Sequence, residues 1–235
     1  MQGELPALAI SAGGSIMIPD APDVAYIRQF ALELQSLAER FRVFVVVGGG
    51  RLARTYIQAA RQLGAEETTL DQVGIEATRL NARMLIAALG KAALGRVPHD
   101  FEAAVEASLF HPIIVMGGTH PGHTTDAVAV MLGERARALR VLILTNVDGV
   151  YTADPKLDRG AKRIERLTAS ELVALTASST AEAGSTGVID AMGCKIIQRS
   201  GLHTCVLHGR DFDAMRAAAE GRPFKGTLVV PDKAP

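Results

Sequence analysis

Four short stretches of this 235-residue sequence place glycine beside small polar or cationic residues just where a β-branched run ends. They are Gly13-Gly14-Ser15, then Gly48-Gly49-Gly50-Arg51-Leu52-Ala53-Arg54, then residues 117–126, then residues 145–155. Glycine lets backbone amides approach a ligand that a Cβ would hold away. A helix N-terminus behind such a loop adds unpaired N–H groups and a positive dipole end, which suit phosphate. One loop of this kind is ordinary fold grammar; four point to a polyanionic ligand. The second stretch formally fits the dinucleotide fingerprint G-x-G-x-x-G/A, with Asp71 about twenty residues on. That reading is rejected, because residues 65–70 make a poor buried strand and the unit is not the first β-α turn of the chain. Arg51 and Arg54 fall in the first helical turn, where cations oppose the helix dipole by a few tenths of a kcal/mol. A bound anion would compensate them. No Walker A loop, G-x-x-x-x-G-K-[ST], is present.

The third stretch, Gly117-Gly118-Thr119-His120-Pro121-Gly122-His123-Thr124-Thr125-Asp126, is the densest polar run. His120, His123 and Asp126 have a spacing that could suggest a metal triad, but Pro121 and Gly122 forbid a regular helix there and no fourth ligand is evident. No metal site is assigned. An N-cap by Thr124 or Thr125 is the structural reading, and a loop that grips substrate is the functional one, which is favoured. The fourth stretch can be a turn built on Asp148-Gly149. It can equally be a nucleotide clamp in which Tyr151 packs near a base or ribose and Asp154 accepts hydroxyl hydrogen bonds.

The elements behind these loops read as an α/β fold: short apolar runs alternate with segments of helical period. Expected strands cover residues 8–10, 43–47, 113–116, 141–144, 204–207 and 228–230. Expected helices cover 23–40, a segment through Tyr56 to Leu63, 71–89, 101–109, one starting near Asp126, 190–200 and 211–220. Val24, Ile27, Phe30, Leu34 and Leu37 should face inward on the first helix, and Val73, Ala77, Leu80, Met84 and Ala88 on the third. Each of the four strands before a glycine loop, ending at Ile10, Val47, Met116 and Leu144, should lead into a helix N-terminus. Thr168 and Glu171 form a capping-box pattern. In open α/β sheets ligands sit beyond the carboxyl ends of the strands, where these loops fall.

Hydrophobic residues make up 48% of the chain, which excludes intrinsic disorder. Lys+Arg and Asp+Glu number 25 each, so no basic field exists to coat nucleic acid. No apolar run approaches the ~18 residues of a membrane span, and the N-terminus lacks the pattern of a signal peptide. Cys194 and Cys205, without metal or redox spacing, fit a reducing cytoplasm.

Taken together, Gly13-Gly14-Ser15, the run from Val45 to Arg54, Gly74-Ile75-Glu76-Ala77-Thr78-Arg79-Leu80-Asn81-Ala82, residues 115–126, 145–155 and 187–201 resemble the archaeal-type uridylate (UMP) kinases of the amino acid kinase superfamily. The resemblance implies a three-layer αβα sandwich with a mostly parallel sheet. It implies one domain over 1–235, with an acceptor lobe over about 1–140 and an ATP lobe over about 141–235. By matching position, Gly49, Asp71, Thr119, His120, Pro121, Gly122, His123, Thr124 and Thr125 resemble a UMP site. Gly14, Ser15, Gly50, Arg54, Thr145, Tyr151 and Asp154 resemble ATP contacts. Asp126 falls where superfamily members keep an aspartate that organises the transfer centre. The resemblance further implies Mg²⁺ carried with ATP, and a homo-oligomer, commonly a hexamer.

The chain departs from the superfamily at Ser11, which stands where many members carry a lysine that meets the transferring phosphoryl group. Arg51, Arg54 or Lys195 is then the candidate cation, with Lys195 equally readable as a solvated surface lysine. Direct transfer from ATP to a phosphate oxygen needs no dedicated nucleophile, only positioning and charge neutralisation. Asp71 would accept ribose hydroxyl protons. The rivals are an isopentenyl phosphate kinase, which by resemblance would want an apolar tunnel and a histidine soon after the triple glycine, another small-molecule kinase of the superfamily, and a non-catalytic nucleotide or oxyanion sensor or storage protein.

Overall fold

A computed structural model describes residues 5–153, 155, 157–179 and 188–232. Asp154, one of the expected ATP contacts, lies outside the described residues. The strands are β1 (Ala7–Ala12), β2 (Arg42–Val47), β3 (Ile113–Met116), β4 (Ala138–Thr145), β5 (Val150–Tyr151), β6 (Arg163–Ile164), β7 (Arg166–Thr168), β8 (Thr204–His208) and β9 (Thr227–Val230). The helices are α1 (Gly14–Met17), α2 (Val24–Ala38), α3 (Gly50–Gln62), α4 (Glu67–Leu89), α5 (Phe101–Ala107), α6 (Thr125–Arg135), α7 (Ala169–Ser179), α8 (Ala191–Ser200) and α9 (Phe212–Glu220).

Seven strands form one sheet in the order β3-β2-β1-β4-β8-β9-β7, parallel except for the antiparallel pair β8–β9. Strand alternation then divides the core into two layers. Leu8, Ile10, Val43, Val45 and Val47 pack with α2, α4 and α9 on one face. Ala7, Ala9, Phe44, Val46 and Ile143 pack with α6 and α8 on the other. The expected three-layer αβα sandwich is present. Ser11 continues the Ala7, Ala9 face, so its side chain is directed toward α6 by the period of the strand.

Local signals account for the helix starts. Asp23, Asp100, Thr124, Asp190 and Asp211 are N-caps whose side chains accept backbone N–H bonds. Thr168 and Glu171 form the reciprocal capping box before α7. Three expectations need correction. Val24 is exposed, because α2 turns its first residue away from the sheet. β4 leads into the small β5–β6 hairpin rather than a helix, since Gly149 at φ 147 makes a turn there. Finally, α4 begins at Glu67, four residues before Asp71. Its buried side is Ile75, Thr78, Ala82, Leu85 and Leu89, while Leu80, Met84 and Ala88 are exposed. Inward backbone partners for Thr78 and Asn81 rotate the helix relative to its most apolar stripe.

Candidate active site

The C-terminal ends of β3, β2, β1 and β4 lie side by side, so their four loops share one edge of the sheet. At the centre the two glycine loops touch. A Cβ on Gly14 would stand 2.1 Å from Gly50 N, and Gly50 itself has φ 60 with its Cβ position 2.5 Å from Gly14 O. Gly13 N donates to Leu144 O, tying the β1 loop to β4 at 2.9 Å. Gly14 and Ser15 open α1, and Gly49 and Gly50 open α3, so two sets of helix-start amides are brought to one place.

Helix α4 pins the loops of β2 and β3. Asn81 Nδ2 donates to Gly48 O at 2.9 Å and to Gly49 O at 3.0 Å. Thr78 Oγ1 accepts from Gly118 N at 2.7 Å while donating to Ile75 O at 2.6 Å. Two turns before Thr78, Asp71 Oδ2 accepts from Gly122 N at 2.7 Å. Asp71 therefore holds the residue 117–126 loop, in which Gly122 has φ 82. Thr78 and Asn81 were not among the expected site residues. The available signal was two polar side chains three apart on the face that Ile75 and Ala82 bury.

Asp126 is brought to Ser11, whose Oγ donates to Asp126 Oδ1 at 2.5 Å. Burial pushes the Asp126 carboxyl up to about 6; the Ser11 hydrogen bond opposes this, and the nearby Asp190 charge adds to it. Asp190 was also unexpected. It caps α8 through Gly193 N at 3.0 Å and accepts from Thr124 Oγ1 at 2.5 Å. Thr124 in turn accepts from Ala127 N at the start of α6. The starts of α6 and α8 are thus interlocked through two cap residues. The sequence signal for Asp190 was its place as an N-cap.

The expected cations lie differently. Arg51 Nη1 pairs with Asp20 Oδ1 at 2.8 Å at the surface. Arg54 is exposed at the start of the second turn of α3, and Lys195 is exposed on α8, where its neighbours Cys194 and Ile196 are buried. None of them is seen against Ser11 or Asp126. Among the described residues no group of three or more His, Cys, Asp or Glu could hold a metal ion, so His120, His123 and Asp126 do not form a metal triad.

Two cavities, each of about 730 Å³, flank this centre in strand order. One lies beyond β3, between α3, α4 and the loop, with Tyr56, Ile75, Leu80, Thr119, His120 and Pro121 in its wall. The other lies beyond β4 and β8, with Asn146, Asp148, Tyr151, His208, Arg210 and Phe212 in its wall. Thr145, at the end of β4, is half-buried beside Asn146. Tyr151 donates its hydroxyl to Asp148 Oδ1 at 2.5 Å, which raises the phenol above its ordinary range. Burial pushes Asp148 up, but the Tyr151 bond, Arg163 and Lys225 outweigh it and hold the carboxyl low. Arg210 Nη2 reaches Ile16 O at 3.1 Å and Asp23 Oδ2 at 2.7 Å, linking this cavity to α1.

The model of the amino acid kinase family matches residues 7–208. The chain belongs to that family. It is 45% identical over 224 residues to the uridylate kinase of Thermococcus sibiricus, covering 95% of this chain and 99% of that protein. With the uridylate kinase of Archaeoglobus fulgidus it shares 48% over 210 residues, covering 89% and 94%. The crystal structure of the Archaeoglobus fulgidus uridylate kinase superposes with a TM-score of 0.86 at 44% identity, over 95% of this chain and all of that one. A UMP kinase structure from Ureaplasma parvum, at 21% identity and a TM-score of 0.80, has the same fold.

Proposed function

We propose that this amino acid kinase family member transfers the γ-phosphoryl group of ATP to UMP, giving UDP and ADP. The observation that carries the proposal is the joint hold of α4 on the loops after β2 and β3, through Asp71, Thr78 and Asn81, in a chain whose relatives are named uridylate kinases. In this reading the acceptor lobe presents UMP at the α3–α4 cavity. The ATP lobe presents ATP at the cavity beside Tyr151, and the glycine loops between them receive the phosphates.

A phosphate oxygen of UMP forms a bond to the γ-phosphorus as the bond to the β,γ-bridging oxygen breaks, and ADP leaves with that electron pair. The amides at Gly14, Ser15, Gly49 and Gly50 stabilise the oxygens, since aligned N–H groups in a water-poor site need no reorganisation during reaction. Gly122 N occupies one oxygen of Asp71, which leaves the other to accept a ribose hydroxyl. His120, Pro121, His123 and Thr125 complete the acceptor loop, and Asp126 sets the charge at the centre. Arg54 replaces the lysine absent at Ser11 by swinging from solvent onto a bound phosphate. Mg²⁺ needs few protein ligands when phosphates supply oxygens, which suits a site with no acidic cage among the described residues; bound with ATP, it would neutralise phosphate charge. The working form is a homo-oligomer in the cytoplasm, a hexamer by family resemblance, and light scattering would count its copies.

A second reading, phosphorylation of an isoprenoid monophosphate, draws on Leu52, Val73, Ile75, Ala77 and Leu80 in the acceptor cavity wall. Gln72, Arg79 and Thr119 in the same wall give it polar groups that an isoprenoid chain would leave unpaired. The test is product identity: with γ-labelled ATP and UMP, the label should appear in UDP. Label released only as inorganic phosphate would refute the proposal.

A further inference from the structure

Two residues in the acceptor cavity wall carry buried polar side-chain atoms without a partner. Among the described residues there are five such atoms, of which Arg79 Nε and Thr119 Oγ1 belong to residues in its wall, and His123 Nδ1 belongs to the same loop as Thr119. Arg79 is the odd one chemically. Its side chain is only 16% exposed, yet it pairs with Glu76, at 2.7 Å, whose side chain is 70% exposed. An exposed partner one helical turn away contributes little. The Nε donor, buried without a partner, is left uncompensated by that pair. The remaining wall is mainly apolar, so Arg79 is the cationic member of the wall of a cavity of the size that encloses small ligands.

We propose that Arg79 is a specificity-determining residue that reads the 4-position of the acceptor's pyrimidine ring. The assignment rests on the UMP kinase reading of this cavity. A guanidinium only donates. Uracil presents a carbonyl oxygen at position 4, as thymine does, whereas cytosine presents an amino group that also only donates. Arg79 therefore pairs with uracil and faces donor against donor with cytosine, while the apolar wall takes the ring faces. The hydroxyl of Thr119, able to donate or accept, serves a neighbouring edge atom without setting the choice. Nothing in the sequence motif containing Arg79 indicated this role, since an arginine on a helix is ordinarily a solvated one.

The test is steady-state turnover with UMP, CMP and the monophosphate of the pyrimidin-2-one riboside, which lacks the 4-oxygen of UMP and has a bare N3 in place of N3–H. The wild-type protein should use the pyrimidinone roughly tenfold to a hundredfold less efficiently than UMP, the range expected for one lost hydrogen bond to a charged group. Arg79→Met should lose about that factor on UMP, keep its KM for ATP, and no longer distinguish UMP from the pyrimidinone. Arg79→Lys, which keeps a donor, should retain part of the preference. Equal use of UMP and the pyrimidinone by the wild-type protein overturns the assignment even if Arg79→Met does not fold. So does an unchanged UMP-to-pyrimidinone ratio in Arg79→Met. No turnover of any of the three by the wild-type protein would instead remove the UMP kinase reading, and Arg79's role with it.

Discussion

Asp126→Asn moves stability and turnover in opposite directions if Asp126 is a desolvated charge kept for chemistry. The folded carboxyl sits at about 6, against 3.8 for an aspartate free in water. An acid whose folded pKa is raised favours the folded state while protonated. Its contribution is whole below about pH 4 and is lost as pH rises through 6. The difference of about two units corresponds to about 3 kcal/mol of lost stability at pH 8, and to roughly half of that at pH 5. Asparagine keeps an oxygen that can accept from Ser11 Oγ and carries no charge. The variant should therefore melt several degrees higher than the wild type at pH 8, taking about 2–4 °C per kcal/mol for a chain of this size. The gain should shrink at pH 5. Turnover should fall about a hundredfold or more, as when a transition-state stabiliser is removed, with KM values little changed. Thermal unfolding at the two pH values and ADP release provide the readouts. A first-turn carboxylate that merely complements the α6 dipole, worth roughly 0.3–1 kcal/mol, predicts the reverse: a slightly lower melting point and intact turnover. That outcome would refute the reasoning.

Ser11→Ala removes the hydrogen bond that holds the Asp126 carboxyl down, so the acid limb of the kcat–pH profile should move to higher pH; a limb that stays or moves lower contradicts this. Asp71→Ala frees Gly122 N and removes the proposed ribose acceptor, and should raise the KM for UMP tenfold or somewhat more, from roughly 1.5–3 kcal/mol, with little change in the KM for ATP. Gly50→Ala places a Cβ 2.5 Å from Gly14 O at φ 60; it should destabilise by more than about 1 kcal/mol in denaturant unfolding and sharply lower turnover, because both glycine loops must shift.

The fold was largely legible because period and punctuation agreed. The continuous run Val43–Val47 declared a strand covered on both faces, and Gly90 and Gly201 marked helix ends. Where they disagreed, the sequence misled. The stripe Val73, Leu80 and Met84 looked like the inner face of α4, but Thr78 and Asn81 had backbone groups to satisfy and turned the helix. The loops of the site were visible as glycine stretches, since a Cβ cannot fit where Gly14 meets Gly50. Their partners were not: Asp71 bonding Gly122 N, Ser11 facing Asp126 and Asp190 holding Thr124 are separated by 51, 115 and 66 residues. No local pattern encodes such pairings. They arise only when parallel strands bring their ends to one edge.

The most direct test of the central claim is ADP release from ATP with a panel of acceptors: UMP, CMP, dUMP and isopentenyl phosphate. The account predicts UMP as the preferred acceptor, with CMP and dUMP poorer, because buried polar groups reject analogues that leave them unpaired. Isopentenyl phosphate turned over as well as UMP, or no release above the acceptor-free rate with UMP, would contradict it.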